Sequence, residues 1–160
     1  SQFLLRLPSI IFAAVNTYFI FHLGHKIKNE QTGFYAAILY TASIYTSLIA
    51  GVFIIPDTPQ LFFWIGAIYI MVDVLPDKGT SALHQKRFLL LGLLIGLGMI
   101  SKYTSIFLWG GIFIYLIIYN RHWFKSWSLY VSGFISLLIF SPVLIWNQMY
   151  HFISFTFHEE

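Results

Sequence analysis

The sequence predicts an all-α fold: a polytopic bundle of about six transmembrane helices, with one further amphipathic helix lying in the outer membrane interface. Of the 160 residues, 58% are hydrophobic and only 9% are charged, whereas soluble globular domains carry about 25% charged residues. The hydrophobic residues form six apolar segments, residues 3–23, 33–54, 59–75, 88–101, 103–119 and 128–146. We therefore interpret residues 1–160 as a single transmembrane domain.

The basic residues predict how these segments are oriented. Seven of the nine Lys and Arg residues lie in the first, third and fifth connections: Lys26, Lys28, Lys78, Lys86, Arg87, Arg121 and Lys125. Short connections rich in Lys and Arg remain on the cytoplasmic side of a membrane. We expect residues 24–32, 76–87 and 120–127 to be cytoplasmic, and 55–58, 101–103 and 147–160 to be external. Such scattered charges also argue against a nucleic-acid partner.

The apolar stretch 88–119 is long enough for one steep helix or for two shorter ones. A lysine at the centre of a single span would cost about 2.5–3.5 kcal/mol, and a single span would place the basic connection 120–127 outside. We therefore predict a break at Ser101–Lys102. The first half, 88–101, would be only about four turns long, and we expect it to be buried among its neighbours or to end below the membrane surface near a local cavity. Gly92 and Gly96 form a small-xxx-small pair suited to close helix contact.

The ends of two spans carry further signals. Pro59 suits the first turn of a helix, with Asp57 or Thr58 as its N-cap. Pro142 should bend the outer end of the last span and free backbone groups there. Beyond Trp146, polar residues recur at helical spacing, which predicts the outer amphipathic helix; the alternative is an irregular loop with interfacial aromatic residues. The polar residues of that pattern are Asn147, His151, Ser154 and His158.

The predicted external face carries few polar side chains, and these are the candidate site. Asp57 lies in the tight turn Pro56–Asp57–Thr58–Pro59, where a helix cap and a functional carboxylate are equally good interpretations. Lys102 and Arg6 are either cations that snorkel to the surface or cations that hold an anion. Two cations and one constrained carboxylate on one face suit a phosphate-bearing lipid. The remaining candidates for substrate binding on this face are Asn147, His158 and Glu159.

No metal site or cofactor is expected from the sequence. The chain has no cysteine, so it offers no disulfide and no thiolate ligand. His22 and His25 are three residues apart at a helix end, but they lack a carboxylate or cysteine partner to complete a metal site. Because the chain starts at Ser1 and enters an apolar segment at once, we interpret it as an internal fragment of a longer protein.

Four stretches, in this order and spacing, resemble the membrane domain of the GT-C glycosyltransferases related to dolichyl-phosphate-mannose protein mannosyltransferases and to the bacterial lipid A aminoarabinose transferase. They are Arg6-Leu7-Pro8, Ile55-Pro56-Asp57-Thr58-Pro59 before Leu61-Phe62-Phe63-Trp64, Gly96-Leu97-Gly98-Met99-Ile100-Ser101-Lys102-Tyr103-Thr104, and Pro142-Val143-Leu144-Ile145-Trp146-Asn147 before Phe152-Ile153-Ser154-Phe155. The resemblance covers nearly the whole chain, and the Gly-Leu-Gly-x-x-Ser-Lys-Tyr stretch is its strongest motif.

The resemblance implies an enzyme that moves a sugar from a polyprenyl-phosphate carrier to a lipid, glycan or protein acceptor, with inversion, on the extracytoplasmic face of the bacterial inner membrane. By position, Asp57 matches a carboxylate turn on the catalytic face. Lys102 matches a lysine suited to the lipid phosphate, and Arg6 an arginine that opens a span. The principal acidic residue of the family lies in a loop after the first family span, and this chain begins beyond that loop.

Two other classes of function remain open at this stage. A transporter or lipid flippase would share the hydropathy and the external charges, but it should show inverted repeats and ionisable residues at mid-membrane, which we do not find. A membrane subunit without catalytic activity would explain the glycines and aromatic residues. It would not explain why Asp57 and Lys102 lie on one face.

Overall fold

The computed structural model describes residues 2–44, 57–78 and 81–149, with side chains described from residue 7 onward. Within these ranges the chain is all-α and contains no strand, which confirms the predicted fold class. Six α-helices follow one another: α1 Gln2–Ile27, α2 Glu30–Ala42, α3 Asp57–Val74, α4 Ala82–Ser101, α5 Ile106–Ile118 and α6 Trp127–Met149. Short 3-10 helices, Tyr103–Ser105 and Arg121–Lys125, precede and follow α5.

Three helices of the described ranges are long and apolar enough to cross a membrane: Leu7–Ile27, Ala82–Ser101 and Trp127–Met149. The apolar helical stretch Tyr103–Ile118, which includes α5, is shorter than these three. Helix α3 has 18 residues, with Asp57 and Asp73 near its two ends. The predicted span 33–54 lies partly outside the described residues, and α2 ends at Ala42. The number of six spans therefore stays a prediction.

The first two helices form a close hairpin. The side chain of Asn29 accepts a hydrogen bond from the backbone N–H of Thr32 at 2.9 Å and thereby caps α2. Gly24 on α1 faces Gly33 on α2, and a Cβ added at Gly24 would lie only 2.7 Å from the Gly33 Cα. The hairpin therefore requires glycine at both positions.

Helix α4 lies at the centre of the bundle, as expected. Phe88, Leu91 and Ile95 on α4 are fully buried. The predicted start at residue 88 is wrong, however, because α4 begins at Ala82 and has 20 residues. Its first turns contain polar residues, so hydropathy alone predicts a connection there. Polar residues are nevertheless compatible with a helix end that reaches the membrane interface. The helix is therefore not short.

The predicted contact of Gly92 and Gly96 is confirmed. A Cβ added at Gly92 would lie 2.4 Å from the carbonyl oxygen of Ser132, and one at Gly96 would lie 3.0 Å from the Ser136 Cα. Both pairs are separated by 40 positions in the sequence, so α4 and α6 run parallel. The Ser136 hydroxyl accepts a hydrogen bond from Trp109 Nε1 at 3.1 Å, which joins α5 to the same contact.

The predicted break at Ser101–Lys102 is also confirmed. Lys102 has an extended backbone, with φ −157° and ψ 125°, and its N–H donates to the Gly98 carbonyl at 2.9 Å. The 3-10 turn Tyr103–Ser105 follows at once, and α5 begins at Ile106. A single helix through Lys102 is thereby excluded.

Helix α6 continues through Pro142 to Met149, so the predicted end of the span at Trp146 is three residues too early. Proline has no N–H for the carbonyl four residues before it. That carbonyl belongs to Leu138, and it accepts the hydroxyl hydrogen of Ser141 at 2.7 Å. The freed group is thus satisfied within the helix and is not left for a polar site. Residues 150–158 of the predicted amphipathic helix lie outside the described residues.

Polar side-chain contacts link neighbouring helices at both ends of the bundle. At one end Asp73 on α3 forms ion pairs with Lys26 of α1 and with Arg87 Nη1 of α4, the latter at 3.1 Å. Lys26 also lies over the ring of Tyr69, 4.3 Å from its centroid. We call this the Lys26 end. The start of α3 and the junction between α4 and α5 meet at the other, the Asp57 end.

Candidate functional site

The Asp57 end contains an ion pair between two of the predicted site residues. Lys102 Nζ donates a hydrogen bond to Asp57 Oδ1 at 2.6 Å. The two residues are 45 positions apart in the sequence, and the side chains are 43% and 22% exposed respectively. The pair is therefore reachable from outside the protein but partly shielded by it.

Local sequence determines where both groups lie. Asp57 is in the first turn of α3, where the unpaired N–H groups and the helix dipole favour a carboxylate. Lys102 directly follows the last residue of α4, and its extended backbone turns the chain away from that helix. The pair thus joins the beginning of one helix to the end of its neighbour. The interpretation of Asp57 as a helix cap remains possible, because helix ends are defined only to within one or two residues.

A network of neutral hydrogen bonds lies next to this pair. Gln60 Nε2 donates to Thr104 Oγ1 at 2.7 Å and to Ser105 Oγ at 3.3 Å. Trp64 Nε1 donates to Ser105 Oγ at 2.8 Å. The network therefore ties one face of α3 to the turn that follows Lys102. None of these four residues was a site candidate from the sequence. Gln60 and Trp64 lie three and seven residues after Asp57, and Thr104 and Ser105 lie two and three residues after Lys102.

The other predicted site residues have different environments. Asn147 lies on the buried face of α6, and its Nδ2 donates to the Val143 carbonyl of its own helix at 3.1 Å. Its Oδ1 has no hydrogen-bond partner among the described residues. The backbone of Arg6 belongs to α1, but its side chain lies outside the described part of the chain. His158 and Glu159 also lie outside it.

An apolar groove of about 880 Å³ lies between α5 and α6. Its lining includes Met99, Ile106, Trp109, Phe113, Tyr130 and Phe134. Ile106 comes directly after the 3-10 turn that begins at Tyr103, so the groove starts beside the Lys102 junction and does not contain it. Gly110 and Gly133 also line it, and a Cβ added at either position would meet nothing within 4 Å.

The Lys26 end carries polar contacts that the sequence analysis did not single out. Asp73 pairs with two cations, Lys26 and Arg87. Next to it, His84 Nδ1 lies 2.6 Å from Asp77 Oδ2, and Trp123 Nε1 donates to the Asp77 carbonyl at 2.7 Å. These contacts hold the α3–α4 connection against the α5–α6 connection. In residues 2–44, 57–78 and 81–149 no three His, Cys, Asp or Glu side chains are placed to share a metal ion.

The arrangement at the Asp57 end can hold an anion beside a carboxylate. An ammonium group donates up to three hydrogen bonds, so Lys102 can bind Asp57 and a phosphate oxygen at the same time. The carboxylate in turn can orient a hydroxyl or a cationic group of a second molecule. An exposed ion pair of this kind contributes only about 0–1 kcal/mol to stability. Its chemistry is therefore a better explanation for the pair than its contribution to folding.

Comparison with known proteins bears on the class of this site. No curated protein and no solved structure matches the chain. One family model does match, that of the dolichyl-phosphate-mannose-protein mannosyltransferases, and the match covers residues 1–146. It includes all six helices of the described chain except the last residues of α6, and it includes both members of the Asp57–Lys102 pair. The chain is thus an integral membrane protein of the dolichyl-phosphate-mannose-protein mannosyltransferase family, a family of membrane glycosyltransferases.

Proposed function

We propose that the protein transfers a sugar from a polyprenyl-phosphate carrier to a lipid, glycan or protein acceptor, and that the transfer occurs at the Asp57 end of the bundle. The single observation that carries this proposal is the 2.6 Å contact between Lys102 and Asp57. It brings a cation and a carboxylate together at one end of the helix bundle, in a chain whose family is one of glycosyltransferases.

In this proposal Lys102 binds the phosphate of the carrier. Departure of the sugar leaves negative charge on that phosphate, and a fixed cation stabilises charge that develops in the transition state. Arg6, whose position in α1 opens the first apolar segment, would contribute a second cation. Asp57 keeps the Lys102 ammonium in place and orients the acceptor or the sugar. Displacement occurs with inversion at the anomeric carbon.

The apolar groove between α5 and α6 supports a lipid-linked donor. Its volume of about 880 Å³ lies within the range of about 300–1,000 Å³ that is usual for ligand sites, and it starts at Ile106, close in the chain to Lys102. A donor with a charged phosphate and an apolar tail matches this combination of ammonium and groove. The positive-inside pattern of the sequence supports an extracytoplasmic site, and the resemblance to the bacterial lipid A aminoarabinose transferase supports the bacterial inner membrane.

The test is a transfer assay on the complete protein with a polyprenyl-phosphate-linked sugar. Lys102→Ala should lose activity while the protein still inserts and folds, because the ion pair contributes little to stability. Lys102→Arg should not restore full activity, since a planar guanidinium replaces a compact ammonium. Normal transfer by Lys102→Ala would reduce the lysine to an anchor at the membrane surface.

A further inference from the structure

The turn after Lys102 packs closely against Gly98 of α4. Ser105 is completely buried, and its side chain occupies the space that a side chain at position 98 would need. A Cβ added at Gly98 would lie 3.0 Å from Ser105 Oγ and 3.3 Å from Ser105 Cβ. A larger residue at position 98 would therefore require Ser105 to move by a few tenths of an ångström away from the end of α4.

Ser105 is also hydrogen-bonded to two side chains of α3. Its hydroxyl oxygen accepts hydrogen bonds from Trp64 Nε1 at 2.8 Å and from Gln60 Nε2 at 3.3 Å. The indole N–H of the half-buried Trp64 would lose free energy if it were left without this acceptor. Both donors sit one helical turn or two after Asp57, on the helix that carries the carboxylate. Movement of Ser105 away from α3 would break both bonds.

Ser105 also connects directly to the backbone of Lys102. Its N–H donates to the Lys102 carbonyl at 3.0 Å, which closes the 3-10 turn. The Lys102 side chain is long and 43% exposed, and the backbone of the turn determines where this side chain begins. The position of its Cα depends on how the turn is attached, and the attachment to α3 passes through the two bonds to Ser105 and through the 2.7 Å bond from Gln60 to Thr104.

We propose that Ser105 is a positioning residue, which fixes the Lys102 turn against α3 so that the Lys102 ammonium remains beside Asp57 and in reach of the carrier phosphate. The inference rests on the proposed function for the identity of the ligand. It adds a residue that does not touch the ligand itself and that acts through the backbone of Lys102.

The test measures binding, not transfer, so that no acceptor is required. The complete protein in detergent is titrated with a radiolabelled polyprenyl monophosphate, and the corresponding polyprenyl alcohol gives the part of binding that does not depend on phosphate. Ser105→Ala should weaken phosphate-dependent binding by about three- to tenfold, the factor that one hydrogen bond contributes. The matched control is Ser101→Ala, which removes a hydroxyl whose one hydrogen bond among the described residues goes to the Leu97 carbonyl of its own helix, at 3.2 Å; it should leave binding unchanged.

A double-variant cycle separates positioning from general packing. In a Lys102→Ala background, Ser105→Ala should cause no further loss of phosphate-dependent binding. If Ser105→Ala fails to fold, Gln60→Met probes the same attachment from α3 while the bond from Trp64 remains, and it should weaken binding about two- to threefold.

The possible outcomes distinguish the two proposals. Wild-type binding by Ser105→Ala beside weak binding by Lys102→Ala would overturn the role of Ser105 and leave the proposed function intact. Unchanged binding by Lys102→Ala would instead overturn the assignment of the phosphate to that lysine. Losses that add fully in the double variant, or an equal loss in Ser101→Ala, would show that the serine contributes only to general packing.

Discussion

The hydroxyl group of Ser136 donates a hydrogen bond to the carbonyl oxygen of Gly92 at 2.6 Å, across the contact between α4 and α6. A bond this short between a side chain of one helix and the backbone of another requires the two helix backbones to lie almost in contact. Glycine at position 92 provides that closeness, and Trp109 of α5 donates to the same hydroxyl. The contact therefore fixes three helices on the side of α4 that faces away from α3.

The first prediction concerns this contact. Gly92→Ala should destabilise the protein by about 1–3 kcal/mol, the usual cost of overpacking a filled site, because the new Cβ would meet the backbone of Ser132 at 2.4–2.7 Å. Gly110→Ala is the matched control, since its Cβ would meet nothing within 4 Å and alanine favours a helix over glycine by about 1 kcal/mol. Thermal unfolding in detergent measures both. Equal stability of the two variants would contradict the close contact.

The second prediction concerns the ion pairs of Asp73. Asp73→Asn should leave Lys26 and Arg87 as neighbouring cations without their carboxylate, and it should lower stability by about 1 kcal/mol, a value already reduced for partial exposure. The loss should shrink in high salt, because ions screen partly exposed charges. The exposed Lys28 has no ion pair among the described residues, so Lys28→Gln should change stability by no more than about 0.5 kcal/mol. Unfolding at two salt concentrations is the measurement, and a loss independent of salt would argue against an electrostatic origin.

The third prediction is the orientation of the bundle. These 160 residues contain no cysteine, so a single cysteine introduced among them gives this segment one thiol at a known position. Tyr103→Cys, at the Asp57 end, should react with an impermeant thiol reagent added to intact cells, whereas Lys78→Cys, at the Lys26 end, should react only after the membrane is opened. The physical reason is the retention of basic connections on the cytoplasmic side. Labelling of position 78 from outside would reverse the orientation and move the proposed site to the cytoplasm.

The sequence predicts the positions of Asp57, Lys102 and the helix break, but it does not predict the side-chain contacts around them. The break at Lys102 follows from the cost of a charge inside a span, and the proximity of Gly92 and Gly96 to another helix follows from their spacing. Hydropathy and charge also put Asp57 and Lys102 at the same end. These are properties of position along the chain, which a sequence expresses directly.

The contacts of Ser105 and Asp73 could not be predicted in the same way. They depend on how each helix is rotated about its own axis, and an apolar environment on all sides gives a membrane helix no marked polar face to reveal that rotation. Ser105 therefore looked like an ordinary residue of an apolar stretch, although it is the acceptor for two donors of α3. The start of α4 was also predicted wrongly. Its first residues are polar and interfacial, so the apolar segment begins at residue 88 although the helix begins at Ala82.

The last prediction concerns Asp57, whose two interpretations lead to different results on mutation. Asn caps a helix about as well as Asp, and the partly exposed ion pair contributes only about 0–1 kcal/mol, so Asp57→Asn should fold and insert like the natural protein. We expect it nevertheless to lose most of its activity in the transfer assay, because the carboxylate that holds the Lys102 ammonium at 2.6 Å is gone.

Asp57→Ala is the informative companion variant. It removes the charge and the cap together, so it should lose the same activity and about 1 kcal/mol of stability in addition. Thermal unfolding and transfer of sugar from a polyprenyl-phosphate donor are measured on the same preparations. If Asp57→Asn transfers sugar at the natural rate while Asp57→Ala is unstable, the carboxylate only caps α3. The position of Lys102 must then be maintained by the turn at Ser105 and not by its ion pair.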